Sequence, residues 1–199
     1  MPEIRPTIGI NTMNQLIILD RDGVINLDSD AYIKSAAEWI PIPGSAEAIA
    51  RLCKAGYRVV VATNQSGLGR GLFSLGDLEA MHAKMGALIE AAGGTLDGIF
   101  FCPHTPEQQC SCRKPLAGLI HQAEQALGIS AKGAILVGDS LRDIQAGQAA
   151  ECVPLLVKTG KGAKTLRKGL GLEGVAIFAD LADVAEHLLS DSLTSPCST

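Results

Sequence analysis

An α/β fold, with helices on both faces of a parallel sheet, is the class this sequence predicts, and three observations carry that prediction. Short runs recur at Leu16–Leu19, at Tyr57–Ala62 and at Ala134–Val137, apolar except for Arg58 near the start of the second, and runs this short and this apolar fit strands buried on both faces. Stretches of helical period stand between them, as crossovers between parallel strands require. Each run ends abruptly in polar residues: Asp20-Arg21-Asp22-Gly23, Thr63-Asn64-Gln65-Ser66-Gly67 and Gly138-Asp139-Ser140. Right-handed crossovers place the carboxyl ends of such strands on one edge, and open α/β sheets bind ligands there. The expectation is a Rossmann-like, doubly wound parallel sheet with its site at that edge.

Taken in order, Met1 to Asn14 lacks the basic-then-apolar layout of an export signal. It reads as a disordered extension, with Met13 as an alternative start. After the first strand come a polar loop, Leu27 to Ser35, then Trp39 and the turn Pro41-Ile42-Pro43-Gly44. Gly44 or Ser45 starts a helix over Ala46 to Lys54, with Ile49 and Leu52 on its apolar side, and Gly56 ends it. The second strand, Tyr57 to Ala62, runs into a polar, glycine-rich loop from Thr63 to Gly71. Leu78, Met81, Met85, Leu88 and Ile89 recur at helical spacing within Leu75 to Ala92, which Gly93-Gly94 stops. Leu96 to Phe101 is the third strand, ending at Cys102. A compact loop of Cys, His and Pro follows, and Arg113-Lys114-Pro115 leads into a helix over Leu116 to Leu127. Ala134 to Val137 is the fourth strand and Leu141 to Ala150 the next helix. Val153 to Val157 is the fifth strand, and the Gly- and Lys-rich segment Thr159 to Gly174 reads as a mobile loop or short irregular helix. Val175 to Phe178 is the sixth strand and Leu181 to Leu189 the closing helix. The stretch between Asp22 and Thr63 holds one loop and one helix, too little for a separate cap. With no repeat and no linker, residues 15–190 read as one domain and 191–199 as a disordered tail.

The chain has 199 residues and is 47% hydrophobic, enough for one good-sized core. Its net charge of -4 and the absence of a basic block favour neither nucleic acid nor an anionic membrane as partner. No apolar run approaches the ~20 residues of a membrane span. The expectation is a monomer in the cytoplasm. Three of the six cysteines, Cys102, Cys110 and Cys112, crowd beside His104. Without an export signal this favours a metal over a disulfide framework.

Asp20, Asp22 and Asp139 would repel one another at a shared strand edge, and a hard cation removes the problem. Mg²⁺ takes oxygen ligands, commonly one or two carboxylates with waters and substrate phosphate. Asp143, one helical turn beyond Asp139, would ligate it or orient a water. Lys114 would bring positive charge to phosphoryl oxygens, Thr63 a hydroxyl hydrogen bond, and the backbone N–H groups of Asn64 to Gly67 an anion cradle. A nucleophile, a metal, a lysine and a hydroxyl donor are what phosphoryl transfer needs, because that chemistry is mostly positioning and charge stabilisation.

DRDGVIN, TNQSG, RKP and GDSLRD, in that order, resemble the four motifs of haloacid-dehalogenase-like phosphatases, over roughly Leu16 to Leu189. The resemblance implies a haloacid-dehalogenase-like fold without a large cap. It implies Asp20 as nucleophile forming an aspartyl-phosphate, and Asp22 as the acid that protonates the leaving group and then activates water. Thr63 and Lys114 would hold the phosphoryl group, and Mg²⁺ would sit on the Asp20 carboxylate, the Asp22 backbone carbonyl and Asp139.

Cys102-Pro103-His104, five residues, then Cys110-Ser111-Cys112 offers three sulfurs and one nitrogen, the tetrahedral set of a closed structural Zn²⁺ site. Thiolates select Zn²⁺ over Mg²⁺, so the two metals need not compete. Zinc would pin a loop with almost no apolar residues and fix Arg113 and Lys114, which follow the last ligand. The plainer alternative is a set of reduced, partly buried cysteines. A capless chain with this zinc-bound loop before RKP is similar to the D-glycero-D-manno-heptose 1,7-bisphosphate 7-phosphatase family. That resemblance implies removal of the C7 phosphate of a small phosphorylated sugar, on the route to ADP-heptose for lipopolysaccharide. The substrate contacts it implies are Gly23, Asp28 and Tyr32 after the first strand, Asn64, Gln65 and Ser66 after the second, and Arg113. Ser140 stands where some members carry Lys, and the anomer stays open. Histidinol-phosphate phosphatases share the motifs and the zinc loop, and remain the alternative. A non-catalytic zinc-stabilised binding protein ranks lower, because Asp20, Asp22, Lys114 and Asp139 are all present. Polynucleotide 3′-phosphatases fit poorly with an acidic chain. Arg70 reads as solvated rather than as a contact to a second phosphate, and His82, His121 and His187 as surface or capping residues. Cys53 and Cys152 read as core thiols, and Cys197 as part of the tail.

Overall fold

The computed structural model describes residues 15–191. The expected extension over 1–14 and the tail from 192 onward, with Cys197, lie outside the described residues; Asp191 ends the last helix. Six parallel strands, β1 (Leu16–Leu19), β2 (Arg58–Asn64), β3 (Gly98–Cys102), β4 (Ile135–Gly138), β5 (Val153–Val157) and β6 (Ala176–Phe178), form one sheet in the order β3-β2-β1-β4-β5-β6. The winding reverses beside β1, whose neighbours are β2 and β4, and a crevice opens outside the carboxyl ends of strands at such a switch point. The helices are α1 (Ser45–Lys54), α2 (Ser66–Gly69), α3 (Leu75–Ala91), α4 (Gly118–Leu127), α5 (Leu141–Ala149), α6 (Gly162–Lys168) and α7 (Leu181–Asp191).

The unbroken apolar strands are explained by two cores. Side chains alternate across a strand, so Ile17, Leu19, Val59 and Val61 meet Ile49 and Leu52 of α1, Met81 and Met85 of α3, and Val184 of α7. Leu16, Ile18, Val60 and Ala62 meet Leu119, Ile120 and Ala123 of α4 and Ala146 of α5 on the other face. Every residue of β1 is fully buried, because it lies between the two layers.

Several boundaries differ from the expected ones. β2 continues through Thr63 and Asn64, which pair with Phe101 and Cys102, so these two polar residues sit on the sheet and not in the loop. The loop that follows contains α2. β3 starts at Gly98, not Leu96, because Asp97 precedes the ladder and its carboxylate takes the Val59 N–H at 2.9 Å. α4 starts at Gly118, not Leu116, after a turn in which the Leu116 N–H bonds the Arg113 carbonyl at 2.9 Å. A Cβ on Gly118 would come within 2.3 Å of Ser111 O, so the helix start is pressed against the cysteine loop. Between 159 and 174 lies a helix, α6, where the composition left a loop or an irregular helix open.

The histidines divide. His121 is exposed and pairs with Glu124 at 2.8 Å. His187 is a correction: it is buried, its ring 5.3 Å from that of Phe178, because this face of α7 packs on β6. His82 is also more than a surface residue. It packs against Phe101, and burial, with the Arg21 charge nearby, lowers its pKa to about 4. Cys152 is buried as expected, while Cys53 is half-buried, its thiol directed at Thr95 O. Among the described residues no helix is long and apolar enough to cross a membrane.

Candidate active site

Asp20 lies one residue past β1, and its N–H still bonds Val137 O of β4 at 2.9 Å. The chain then winds tightly, the Arg21 carbonyl accepting the N–H groups of Val24, Ile25 and Asn26. Gly23 has φ +86°, and a Cβ there would come within 2.1 Å of Asp139 Oδ2. Gly160 approaches the same oxygen from the other side, where a Cβ would lie 2.2 Å away. Two glycines thus let the backbone close on one carboxylate, which side chains would prevent.

Lys114 reaches this point from the cysteine loop. Its Nζ is 2.9 Å from Asp20 Oδ1 and 2.6 Å from Asp143 Oδ1, and donates to Ala62 O at 2.7 Å. Burial works against its charge, but Asp143 and Asp20 outweigh that and raise its pKa, so it is a permanent ammonium. Asn64 holds the lysine's backbone: its Nδ2 donates to Lys114 O at 3.0 Å and its Oδ1 accepts from Lys114 N–H at 3.1 Å. Both ends of this amide are therefore spent on positioning Lys114. The Asp20 Oδ1 also accepts the Arg21 N–H at 2.8 Å, which leaves Oδ2 open to the cleft.

Asp22 sits in a separate cage. Arg21 Nη2 donates to both its oxygens at 3.0 Å, Asn26 Nδ2 to Oδ1 at 2.8 Å, and Gln65 Nε2 to Oδ2 at 2.8 Å. Burial would raise the Asp22 carboxyl, but the Arg21 charge and the donors from Asn26 and Gln65 overcome it and lower its pKa. Gln65 Nε2 also donates to Thr63 Oγ1 at 2.9 Å, so the Thr63 hydroxyl hydrogen is free to be given elsewhere. The Gln65 backbone N–H is spent on Cys102 O at 2.7 Å. This is a correction to the expected anion cradle: along Asn64 to Gly67, that N–H is not available.

Ser140 is the N-cap of α5, and its hydroxyl and N–H donate to Asp143 Oδ2 at 2.5 and 3.0 Å. With Lys114 on Oδ1, both Asp143 oxygens are taken. Asp139 Oδ2 accepts the Lys161 N–H at 2.7 Å. Burial, with Asp20 and Asp143 nearby, pushes the Asp139 carboxyl up to about 8, and burial raises Asp20 to about 6 against the pull of Lys114.

These acids fit a divalent cation. Carboxylate oxygens of Asp20, Asp139 and Asp143 all lie within 4.8 Å of one another. Oxygen ligands on Mg²⁺ sit at about 2.1 Å, hence at most about 4.2 Å apart. Asp20 and Asp139 each offer an oxygen without a protein donor, and Asp143 orients Lys114. The elevated carboxyl pKa values give a testable consequence. Protons compete with Mg²⁺ for Asp139 and Asp20, so Mg²⁺ affinity should rise as pH rises from 6 to 9, with proton release on binding. Without metal, the folded protein holds more protons on these two groups than the unfolded chain between pH about 4 and 8, so their contribution to stability is lost as pH rises through that window. Mg²⁺ should therefore raise the melting temperature more at pH 8.5 than at pH 6; an equal rise at both, in thermal-shift titrations, would contradict this electrostatic account.

Cys102, His104, Cys110 and Cys112 form a second cluster that could hold zinc. Five of its six ligand-to-ligand separations are 3.2–3.6 Å, running through Cys102–His104, Cys102–Cys110, His104–Cys112, Cys112–Cys102 and Cys112–Cys110. Bonds of about 2.3 Å to sulfur and 2.0 Å to nitrogen give tetrahedral edges of roughly 3.5–3.8 Å. Burial and the neighbouring thiols push Cys112 up to about 12, a cost that a divalent cation would relieve. Arg113 Nη1 donates to His104 O at 3.0 Å, tying the far side of the loop to the residue before Lys114.

One cleft of about 340 Å³ gathers nearly all the residues named from sequence: Asp20, Asp22, Asp28, Tyr32, Thr63, Asn64, Gln65, Ser66, Arg113, Lys114, Asp139, Ser140 and Asp143. Gly23 lies beneath it, against Asp139. Tyr32 is held in the left-handed region at φ 66°. Arg70 also lines the cleft, exposed and 3.7 Å from Glu107. Sequence reasoning missed three contributors. Arg21 is wholly buried and clamps Asp22; its position between the two carboxylates was the available signal. Lys161 pairs with Asp28 at 2.5 Å, and Arg142 lines the cleft from the start of α5. Nothing in the spacing of either pointed to the site.

Comparison with known proteins agrees with this geometry. A family model described as HAD-hydrolase-like matches residues 111–184. The D-glycero-beta-D-manno-heptose-1,7-bisphosphate 7-phosphatase of Pseudomonas aeruginosa is 56% identical over 174 residues, 87% of this chain and 97% of that protein. The protein of the same name from Bordetella bronchiseptica is 53% identical over 178 residues, 89% of this chain and 99% of that one. A crystal structure of D,D-heptose 1.7-bisphosphate phosphatase from B. bronchiseptica, complexed with magnesium and phosphate, superposes with a TM-score of 0.86 at 53% identity, covering 88% of this chain and 98% of that one.

Proposed function

The chain belongs to the D-glycero-β-D-manno-heptose-1,7-bisphosphate 7-phosphatase family of haloacid-dehalogenase-like proteins, and from that premise we propose that it is a Mg²⁺-dependent phosphomonoesterase. It removes the C7 phosphate of the β-heptose bisphosphate, a step toward ADP-heptose and the lipopolysaccharide core. The observation that carries the reading is the convergence of Asp20, Lys114 and Asp139 in one cleft, with Lys114 Nζ 2.9 Å from Asp20.

One carboxylate oxygen of Asp20 attacks phosphorus while the other would lie on the metal, and the sugar alkoxide leaves in line. Lys114 and the freed Thr63 hydroxyl hydrogen bear on the phosphoryl oxygens. Bound Mg²⁺, held by the Asp20 and Asp139 carboxylates and the Asp22 carbonyl, supplies charge neutralisation for the phosphoryl group. Asp22 gives its proton to the departing oxygen, then takes one from the water that releases phosphate from Asp20. For this it exchanges part of its cage of Arg21, Asn26 and Gln65 for the substrate, since that cage favours the carboxylate. Asn64 positions Lys114, and Asp143 with Ser140 holds the lysine's other side. Cys102, His104, Cys110 and Cys112 would hold Zn²⁺, which would fix the loop that delivers Arg113 and Lys114. The reading has the chain act as a cytoplasmic monomer on a small sugar phosphate, without nucleic acid or membrane, in keeping with a net charge of -4.

A substrate panel tests it. kcat/KM should be highest on the β-heptose bisphosphate, at least tenfold above both the α anomer and histidinol phosphate, about 1.4 kcal/mol in transition-state binding. A tenfold preference for histidinol phosphate would overturn the assignment.

A further inference from the structure

Thr159, Gly160 and Lys161, between β5 and α6, belong to no ligand set, yet each touches a loop that carries a magnesium ligand. The Thr159 hydroxyl donates to Gly23 O at 2.6 Å, joining residues 136 apart in sequence. Gly160 lies so close that a Cβ on it would strike both the Gly23 Cα and Asp139 Oδ2. The Lys161 N–H donates to Asp139 Oδ2 at 2.7 Å. One helical turn on, the Thr165 hydroxyl donates to Asp139 O at 3.0 Å. The segment is itself seated on the end of β5. The Ala163 N–H bonds Lys158 O at 3.1 Å, the Gly162 N–H bonds Thr159 O at 2.8 Å, and a Cβ on Gly162 would run into Val157 O.

The two ligand loops need a tie of this kind. The ladder joining β1 to β4 pairs Leu19 with Val137 and carries the Asp20 N–H on Val137 O. Past it, the Asp22 carbonyl and the Asp139 carboxylate belong to separate turns. Gly23 is the softer of the two positions, because it sits at φ +86° and a glycine backbone rotates with little steric resistance. The Asp22 carbonyl belongs to the peptide group on its amino side. The Gly23 N–H is held by Asn26 O at 2.7 Å, and Thr159 holds its carbonyl, so the peptide groups on both sides of Gly23 are fixed. Thr159 and Thr165 are half-buried. Water could satisfy Gly23 O or Asp139 O in their place, but a water is not tied to β5 and α6 and would not fix either carbonyl.

We propose that Thr159 is a positioning residue for the magnesium site, with Thr165 as its weaker counterpart: the two hydroxyls brace the loops of Asp22 and Asp139 at the spacing the cation requires. The proposal rests on the Mg²⁺-dependent reading above and deepens it, because it adds residues that never touch the metal. Mg²⁺ demands near-ideal octahedral geometry and tolerates little displacement of a ligand. Outer partners of metal ligands commonly change affinity by about 10–100-fold when removed. Thr159 acts on the loop with the freer backbone and through the shorter bond, so it carries the larger share. Both hydroxyls act on where the ligands stand, not on the reacting atoms. Their loss therefore weakens Mg²⁺ binding, and saturating Mg²⁺ restores kcat.

The experiment measures Mg²⁺ binding by calorimetry on the zinc-loaded full chain, without substrate, for wild type, Thr159→Val, Thr159→Ser and Thr165→Val. Valine keeps the shape of threonine and removes only the hydroxyl, and serine keeps the hydroxyl. Thr159→Val should weaken Mg²⁺ by about tenfold and Thr165→Val by about threefold, while Thr159→Ser stays within about twofold of wild type. On the heptose bisphosphate, Thr159→Val should need about tenfold more Mg²⁺ for half-maximal rate, with kcat at saturating Mg²⁺ within about threefold of wild type. A Thr159→Val chain with a lower metal-free melting temperature but wild-type Mg²⁺ affinity would overturn the proposal, since the hydroxyl would then serve the fold alone. So would Thr159→Ser as weak as Thr159→Val, or a loss of kcat that Mg²⁺ does not restore. Should valine prevent folding, Thr159→Ala takes its place in the comparison with serine. Failure of the magnesium reading is visible separately, in wild type that binds no Mg²⁺; failure of the brace alone is a wild type that binds it and a Thr159→Val that binds it equally well.

Discussion

Asp20→Asn should abolish turnover, with a loss in kcat of at least about 10⁴-fold, or ~5.5 kcal/mol. The amide is nearly the same size as the carboxylate but lacks its charge and its nucleophilic oxygen, so no aspartyl-phosphate forms. The fold should be untouched for a specific reason. Lys114 keeps Asp143 at 2.6 Å and Ala62 O at 2.7 Å after Asp20 is neutralised, so its buried charge is not orphaned. Asp20 itself is costly in the metal-free protein, where burial raises its pKa to about 6 and Asp22 and Asp143 add repulsion. Removing one of these charges offsets the loss of its pair with Lys114, and the metal-free melting temperature at pH 8 should stay within a few degrees of wild type. Assays with saturating Mg²⁺, thermal melts and zinc content check the three parts. A variant that keeps a tenth of the activity would remove Asp20 from its role as nucleophile.

The catalytic edge was legible because its elements are written locally. β1 is four apolar residues followed at once by acids, and a strand buried on both faces allows no polar residue within it, so Asp20 marks its end. The zinc ligands were equally plain, since four soft donors lie within eleven residues. What could not be read depends on which element packs against which. Polarity alone ends β2 at Ala62; Thr63 and Asn64 nevertheless lie on the sheet because β3 runs beside them to Cys102, and their side chains meet Gln65 and Lys114 instead of a helix. Asn64 reads as a substrate contact, yet its amide is used on the Lys114 backbone. Arg21 is hard to read from sequence because a wholly buried arginine is rare, and only the fold brings Gln65 to it beside Asp22. Lys161 and Arg142 come to the cleft through α5 and α6, and the Gly- and Lys-rich composition of 159–174 gave no sign that Thr159, Lys161 and Thr165 would all hydrogen-bond at the site, to Gly23 O, Asp139 Oδ2 and Asp139 O.

Removing zinc should lower both stability and activity, and by more than the loss of an ordinary surface loop. Between Cys102 and Lys114 the chain reads Pro-His-Thr-Pro-Glu-Gln-Gln-Cys-Ser-Cys-Arg, without one Leu, Ile, Val or Phe. Such a segment buries too little apolar surface to offset the entropy of ordering it. Its hydrogen bonds are mostly local: Gln108 Oε1 accepts the Thr105 N–H at 2.7 Å, the Gln108 and Gln109 N–H groups close a turn on Thr105 O and Pro106 O at 3.2 and 3.3 Å, and Arg113 holds His104 O at 3.0 Å. Three thiols within 3.5 Å of one another cannot all ionise without a cation, so the apo cluster keeps protons on sulfur and gives up the strong metal bonds. Because structural zinc is worth several kcal/mol and one kcal/mol shifts a domain of this size by about 2–4 °C, full chelation should lower the melting temperature by about 10 °C or more. Activity should fall well below that transition, since Lys114 stands two residues after Cys112 and its place is fixed by that ligand on one side and by Asn64 on the other. Cys112→Ser should reproduce both effects and bind less than one zinc per chain, with kcat reduced and Mg²⁺ unable to restore it. Zinc-free protein with an unchanged melting temperature and full kcat at 25 °C would show that the four ligands carry no structural load, and that Asn64 and the Asp20–Asp143 pair suffice to hold Lys114.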